Sequence, residues 1–141
     1  MLLMLPTDPA HRLNVLFADQ GAGWIETVRQ LLEPQGVHTL AARNGREALR
    51  MIESGNIHVA VLDQTLPQLG GLQVIRRMRE FPSSPPAILL ADVLSNNLLH
   101  EALGMQVFSV LSKPVDFNLL LDSLARVLRR HYESRWPRNE G

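Results

Sequence analysis

Residues 60–71 read AVLDQTLPQLGG. An unbroken apolar run, Val59-Ala60-Val61-Leu62, stops at an acid, Asp63, and gives way to a loop through Leu66-Pro67 that closes on Gly70-Gly71. Strands covered on both faces read as continuous apolar runs, whereas half-exposed strands alternate. A carboxylate at the mouth of such a run therefore stands at the end of a buried sheet, and its role depends on what else reaches that end.

Working outward, strands and helices take turns. Upstream, Val15 to Ala18 is a short apolar run, and Trp24, Ile25, Val28, Leu31 and Leu32 recur at helical spacing as far as Pro34-Gln35-Gly36. Val37 to Ala41 reads as a second strand, and NGREALRMIESGN as a second helix bounded by Asn44-Gly45 and Gly55-Asn56. Downstream of the third strand, a helix is expected from about Leu72 to Glu80, stopping at Phe81-Pro82 because the residue before a proline is biased away from helix. Ala87 to Ala91 makes a fourth strand, SNNLLHEAL a helix ending at Gly104, and Val107 to Leu111 a fifth strand. Asp116 is placed to cap a last helix whose Leu120, Leu121, Leu124, Val127 and Leu128 form an apolar stripe. Five strands alternating with five helices imply an α/β fold, a parallel sheet covered on both faces.

Composition supports one compact domain. The chain has 141 residues, of which 45% are hydrophobic, enough for a substantial core. Fourteen basic residues balance fourteen acidic ones, so no overall charge draws the molecule to nucleic acid or an anionic membrane. With no cysteine, disulfides, thiolate catalysis and cysteine-ligated zinc are excluded, which agrees with a reducing, cytoplasmic setting. The opening MLLMLP is too short for a secretory core or a membrane span and has no basic flank. A soluble protein is expected.

Ligand sites in doubly wound sheets lie at the carboxyl ends of the strands. There stand Asp19 after the first strand, Asp63 after the third, Ala91-Asp92 after the fourth and Lys113 after the fifth. Taken singly, an aspartate after a strand is a turn or cap residue and a lysine before a proline a solvated loop residue. Taken together, like charges clustered at a sheet edge destabilise it unless something positive neutralises them. Lys113 with a hard divalent cation does so, and magnesium needs one or two carboxylates plus a phosphoryl group. Asp63 can then act as a nucleophile that accepts a phosphoryl group.

The spacing of LFADQ, VLDQTLPQLGG, PAILLAD and LSKPVD resembles the receiver domain of two-component response regulators, over about residues 13 to 130. LLEPQGV, ARNGREAL and ALGMQVFSVLSKP are similar to that family in order and spacing. The resemblance implies a flavodoxin-like doubly wound sheet of strand order 2-1-3-4-5. It implies Asp63 as phosphoacceptor, Lys113 as the phosphoryl contact, Asp19 as one of an acidic pair that binds Mg2+, and the main-chain carbonyl of Thr65 as a further metal ligand. It also implies a cis bond at Lys113-Pro114. Residues 1–12 then form an amino-terminal tail, and 131–141 a carboxy-terminal tail or the start of a linker. The implied partners are a sensor histidine kinase or phosphotransfer protein. A homodimer or output partner would use helix 4, strand 5 and helix 5, about Asn96 to Leu103, Val107 to Leu111 and Asn118 to Arg130.

The chain departs from the family pattern at four places. Gln20 stands where a second acid is usual, which removes one negative charge from the metal site and weakens magnesium binding. Ala91 stands at the switch position, where a hydroxyl normally bonds the phosphoryl group. Asp92 adds a carboxylate beside a site meant for a dianion. Val110 replaces the aromatic that couples to the switch. Two expectations follow: a receiver phosphorylated at Asp63 with altered coupling, or a degenerate receiver that binds a partner regardless of phosphate. From another class, a phosphatase of the haloacid-dehalogenase type needs an aspartate two residues beyond its nucleophile, where this chain has Thr65. A flavin module needs a hydroxyl-rich phosphate cradle, and DQGAGWIET lacks one, its Gly21 and Gly23 serving the turn and the helix start. Arg126, Arg129 and Arg130, followed by Arg135 and Arg138, complement the dipole of the last helix. No basic reading helix for nucleic acid follows them in ESRWPRNEG, whose Trp136 either packs back on the body or touches a second subunit.

Overall fold

The computed structural model describes residues 12–21 and 23–132. The opening MLLMLP, Arg135, Trp136 and Arg138 lie outside the described residues. Five strands, β1 (Leu13–Ala18), β2 (Val37–Ala42), β3 (Val59–Asp63), β4 (Ala87–Ala91) and β5 (Ser109–Ser112), alternate with five helices. The helices are α1 (Gly23–Leu32), α2 (Gly45–Glu53), α3 (Gly71–Met78), α4 (Asn96–Gly104) and α5 (Phe117–Tyr132). The strands form one sheet in the order β2-β1-β3-β4-β5, and every pairing is parallel. This is the expected flavodoxin-like order.

Successive strand side chains point to opposite faces, so each central strand divides its apolar residues between two cores. Leu16, Ala60, Leu62, Ala87 and Leu89 pack under α2, α3 and α4, with Ile52, Ile75 and Met78. Val15, Phe17, Val59, Val61, Ile88 and Leu90 pack under α1 and α5, with Ile25, Val28, Leu120, Leu124 and Val127. Every residue of β3 and β4 is buried, as unbroken apolar runs require.

The helix starts are fixed by local hydrogen bonds that satisfy otherwise orphaned backbone donors. Asn44 accepts from Glu47 N at 2.8 Å, Ser95 from Leu98 N at 3.1 Å, and Asp116 from Asn118 N at 2.9 Å and Leu119 N at 3.2 Å. Gly45 lets α2 abut the loop after β3: a Cβ there would lie 2.0 Å from the Leu69 carbonyl oxygen.

β5 begins two residues later than the expected Val107. The chain leaves α4 through Gln106 at φ 59°, and Val107 N donates to Ala102 O, so Val107 closes the turn instead of entering the strand. That turn is held by Arg79. Its Nε donates to Met105 O at 3.2 Å, Nη2 to Gln106 O at 3.3 Å, and Nη1 to Pro85 O at 2.9 Å and Ser84 Oγ at 3.1 Å. At the same end of the sheet, Tyr132 donates its hydroxyl to His58 O at 2.8 Å, tying the last turn of α5 to the approach to β3.

Candidate functional site: an acidic cup at the carboxyl ends of the strands

Register brings the two carboxylates together. Ala18 pairs with Leu62, so Asp19 and Asp63, each one residue further on, emerge side by side where β1 and β3 end. Asp63 closes β3 opposite Leu90, and Lys113 follows β5, its N–H bonded to Ala91 O at 2.9 Å. From there Lys113 reaches across the end of β4. Its Nζ lies 2.6 Å from Asp63 Oδ2 and 3.7 Å from Asp19 Oδ2. The peptide bond Lys113-Pro114 is cis, as expected.

Asp19 and Asp63 are 5% and 2% exposed, so both charges are held largely out of water. Buried charges persist when they are paired and hydrogen-bonded. Asp63 Oδ1 accepts from Thr65 N and from Thr65 Oγ1, both at 3.1 Å. Asp19 Oδ1 accepts from Gly21 N at 3.1 Å, and Asp19 Oδ2 from the indole Nε1 of Trp24 at 2.9 Å. Lys113 feels opposing influences. Burial, the largest, pulls its pKa down, but the hydrogen bond and charge of Asp63, then the charges of Asp19 and Asp92, outweigh it and hold Lys113 above the ordinary lysine value.

Thus Asp19, Asp63 and Lys113 meet in one cup of about 460 Å³, lined also by Gln20, Gly21, Trp24, Thr65, Pro114, Val115 and Phe117. Gln20 lies at its lip, exposed. Ala91 ends β4, buried, in register with Ser112, and is absent from the lining of the cup. Asp92 is exposed and acts on Lys113 through its charge. Two features of the cup escaped the reading of the chain. Trp24 looked like one more apolar residue of the first helix, although the helical phase that buries Ile25 and Val28 turns it to the cup. The Thr65 hydroxyl on Asp63 is the other; the Asp-Gln-Thr spacing signals the turn in which the Thr65 N–H bonds Asp63, but not the hydroxyl bond beside it.

The donor set suits a hard divalent cation. Two buried carboxylates face one ammonium, which leaves a net negative charge, and all the donors are oxygens. The protein ligands are few, however: among the described residues no group of three or more His, Cys, Asp or Glu side chains is placed to hold a metal.

A doubly wound sheet of order 2-1-3-4-5 with an aspartate–lysine cup at its carboxyl edge has the CheY-like α/β fold. The family model for the response regulator receiver domain matches residues 15–125, and the chain belongs to that family. Response regulator RR06 of Streptococcus pneumoniae is 28% identical over 125 residues, covering 85% of this chain and 55% of that protein. Response regulator MprA of Mycolicibacterium vanbaalenii is 31% identical over 120 residues, covering 84% and 51%. The chain thus spans about half the length of these two curated relatives. Among solved structures, the signal receiver domain of an HD domain-containing protein from Pseudomonas fluorescens Pf-5 superposes with a TM-score of 0.76 at 27% identity, covering 86% of this chain and 98% of that one. A CheY-like receiver domain from Methanospirillum hungatei gives 0.78 at 20% identity, covering 87% and 98%. Receiver domains are regulatory modules of two-component signalling that interact with histidine kinases or phosphotransfer proteins and bind Mg2+ at the acidic pocket. Among the described residues, no helix is long and apolar enough to cross a membrane.

Proposed function

We propose that this receiver, residues 13–130 with tails on either side, accepts a phosphoryl group on Asp63 from a histidine kinase or phosphotransfer protein in the cytoplasm. The observation that carries the reading is the placement of Lys113 Nζ, 2.6 Å from Asp63 Oδ2 and within 4 Å of Asp19. An Asp63 carboxylate oxygen forms the new P–O bond as the P–N bond of a phosphohistidine breaks, and the electron pair returns to the donor imidazole. Lys113 turns its ammonium from the carboxylate to the incoming phosphoryl oxygens, which need the same positive charge. The Thr65 N–H and hydroxyl hold Asp63 Oδ1 and so fix the orientation of the nucleophile. Asp19, Asp63, the Thr65 main-chain carbonyl and the neutral Gln20 amide would hold the cation, with Gln20 lowering its affinity. When bound, Mg2+ supplies further neutralisation of the phosphoryl oxygens.

At the end of β4, Ala91 offers a methyl where a hydroxyl would bond the phosphoryl group, so phosphorylation is coupled differently to the neighbouring loop. The output surface is the face of α4, β5 and α5, used by a second copy or another protein; nucleic acid is not a direct partner. α4 buries Ala102 alone among its residues, while Val93, Leu94, Leu99, Leu103 and Leu119 are large apolar side chains left exposed. The chain is not an enzyme acting on a separate substrate.

A second reading has its own support. The carboxylates of the cup are already paired by Lys113, Thr65, Gly21 and Trp24, an arrangement that also suits a receiver whose cup is structural and whose partner binds regardless of phosphate. Intact mass after acetyl phosphate with MgCl2, and NMR with fluoroberyllate, separate the two. An adduct present in this chain and lost in Asp63→Asn supports phosphorylation; no adduct at saturating magnesium refutes it. Ala91→Thr then reports how far the missing hydroxyl limits the response.

A further inference from the structure

Asp19 is one of the two carboxylates of the cup that the family reading assigns to the cation, yet its cup-facing oxygen already accepts a hydrogen bond from the chain. The indole Nε1 of Trp24 donates to Asp19 Oδ2 at 2.9 Å, and this is the same oxygen that faces Lys113 at 3.7 Å. Oδ1 is held from the other side by Gly21 N. The indole is itself fixed: its ring meets Phe17, fully buried, edge to face at 5.7 Å and 87°, and it lines the wall of the cup with Phe117 and Val115. A rigid neutral donor of the chain itself therefore serves Asp19. A hydrogen bond to a charged group is among the stronger ones, and a metal that takes the same oxygen must displace it or share its lone pairs.

We propose that Trp24 is a positioning residue that sets the divalent-cation affinity of the cup, because its indole N–H holds Asp19 Oδ2 in competition with the cation. The inference rests on the cup being a cation site, but not on Asp63 accepting phosphate. With Gln20 beside it in place of an acid, Asp19 is the carboxylate the cation would share with Asp63, so occupation of Oδ2 by the indole acts on half of the available anionic donors.

The test uses the whole chain without a phosphodonor. Trp24→Phe keeps a ring against Phe17 and removes the N–H. Calorimetric titration with MgCl2, and with MnCl2 read by the electron paramagnetic resonance of the free ion, is expected to show binding roughly tenfold tighter than in the parent. Equal or weaker binding by the variant, or no binding by either protein, overturns the proposal. Trp24 and Trp136 are the two tryptophans of the sequence, so Trp136→Phe leaves Trp24 as the one fluorophore. Its emission is expected to change along the calorimetric binding curve as the N–H leaves Oδ2; a flat emission at saturating cation overturns the proposal even where Trp24→Phe fails to fold. Failure of this chain to form an adduct with acetyl phosphate and magnesium, with the affinity difference intact, would refute phosphorylation while leaving the role of Trp24 standing.

Discussion

Replacing Lys113 with methionine keeps the length of the stem and removes the ammonium, leaving Asp19 and Asp63 facing each other largely out of water. A charge pair about 4 Å apart in surroundings of effective dielectric about 20 attracts by about 4 kcal/mol before desolvation is counted. Lys113 has two such partners, at 2.6 and 3.7 Å, but burial of the ammonium offsets a large part of that gain. Removing one member of a fully buried pair costs about 3–5 kcal/mol. The lysine is 22% exposed, and both carboxylates keep hydrogen bonds from Thr65, Gly21 and Trp24. The expected loss is therefore about 2–3 kcal/mol, or a drop in melting temperature of about 6–12 °C for a domain of this size. The folded state raises the Lys113 pKa, so the stabilisation is fully present below the unfolded value of about 10.4 and fades as pH rises through the folded one. Thermal denaturation of Lys113→Met and its parent should show a constant deficit from about pH 6 to 9 that narrows in stronger alkali. Excess MgCl2 should recover more stability in the variant than in the parent, since a cation then takes the place of the ammonium. A deficit below about 0.5 kcal/mol, the scale of an exposed pair, or one that varies through neutral pH, would refute the account.

Gly45→Ala pushes a methyl group into the Leu69 carbonyl and should cost about 2–3 kcal/mol in urea unfolding, with an unchanged m-value; a neutral result would mean the loop after β3 gives way easily. Glu33 Oε2 accepts from Thr39 N at 2.9 Å and contacts His38 Nδ1 at 3.1 Å. Burial works to raise the Glu33 pKa, but the Thr39 N–H, the His38 charge and the Thr39 hydroxyl together lower it below the ordinary 4.5. Its stabilisation is present above that pH and lost as pH falls through the folded value, so the melting temperatures of Glu33→Gln and the parent should converge in acid; a gap independent of pH would contradict this. Gln20→Asp restores a negative charge at the lip of the cup and should tighten magnesium binding roughly tenfold by calorimetry; an unchanged affinity would clear Gln20 of any role in weakening the site.

The chemistry of the cup was legible because it sits where buried strands end. Val15 to Ala18 and Val59 to Leu62 are apolar runs whose interruption marks the rim of the sheet, so Asp19 and Asp63 could be placed together without knowing a distance. Lys113 was legible through its place after the fifth apolar run and within LSKPVD, one of the stretches that carry the family resemblance. β5 was read two residues too early because Val107 and Phe108 are apolar, and apolarity alone does not separate a strand from the turn that feeds it. Trp24 was missed for a related reason. Helical spacing reports that a side chain faces inward, but a ring at the border between core and cup satisfies the same period while offering its N–H to a carboxylate. Thr65 was expected to contribute its carbonyl, and the hydroxyl bond to Asp63 depends on a χ1 choice that no sequence pattern encodes.

Arg79 has a consequence for where this molecule can yield. By spreading one planar guanidinium over Pro85, Ser84, Met105 and Gln106, it rivets the exit of α3, the proline-rich loop and the entry to β5 into a single stiff floor. That edge of the sheet is thus braced by a single side chain, while α4, with Ala102 as its one buried residue, is the helix that commits least of itself to the core.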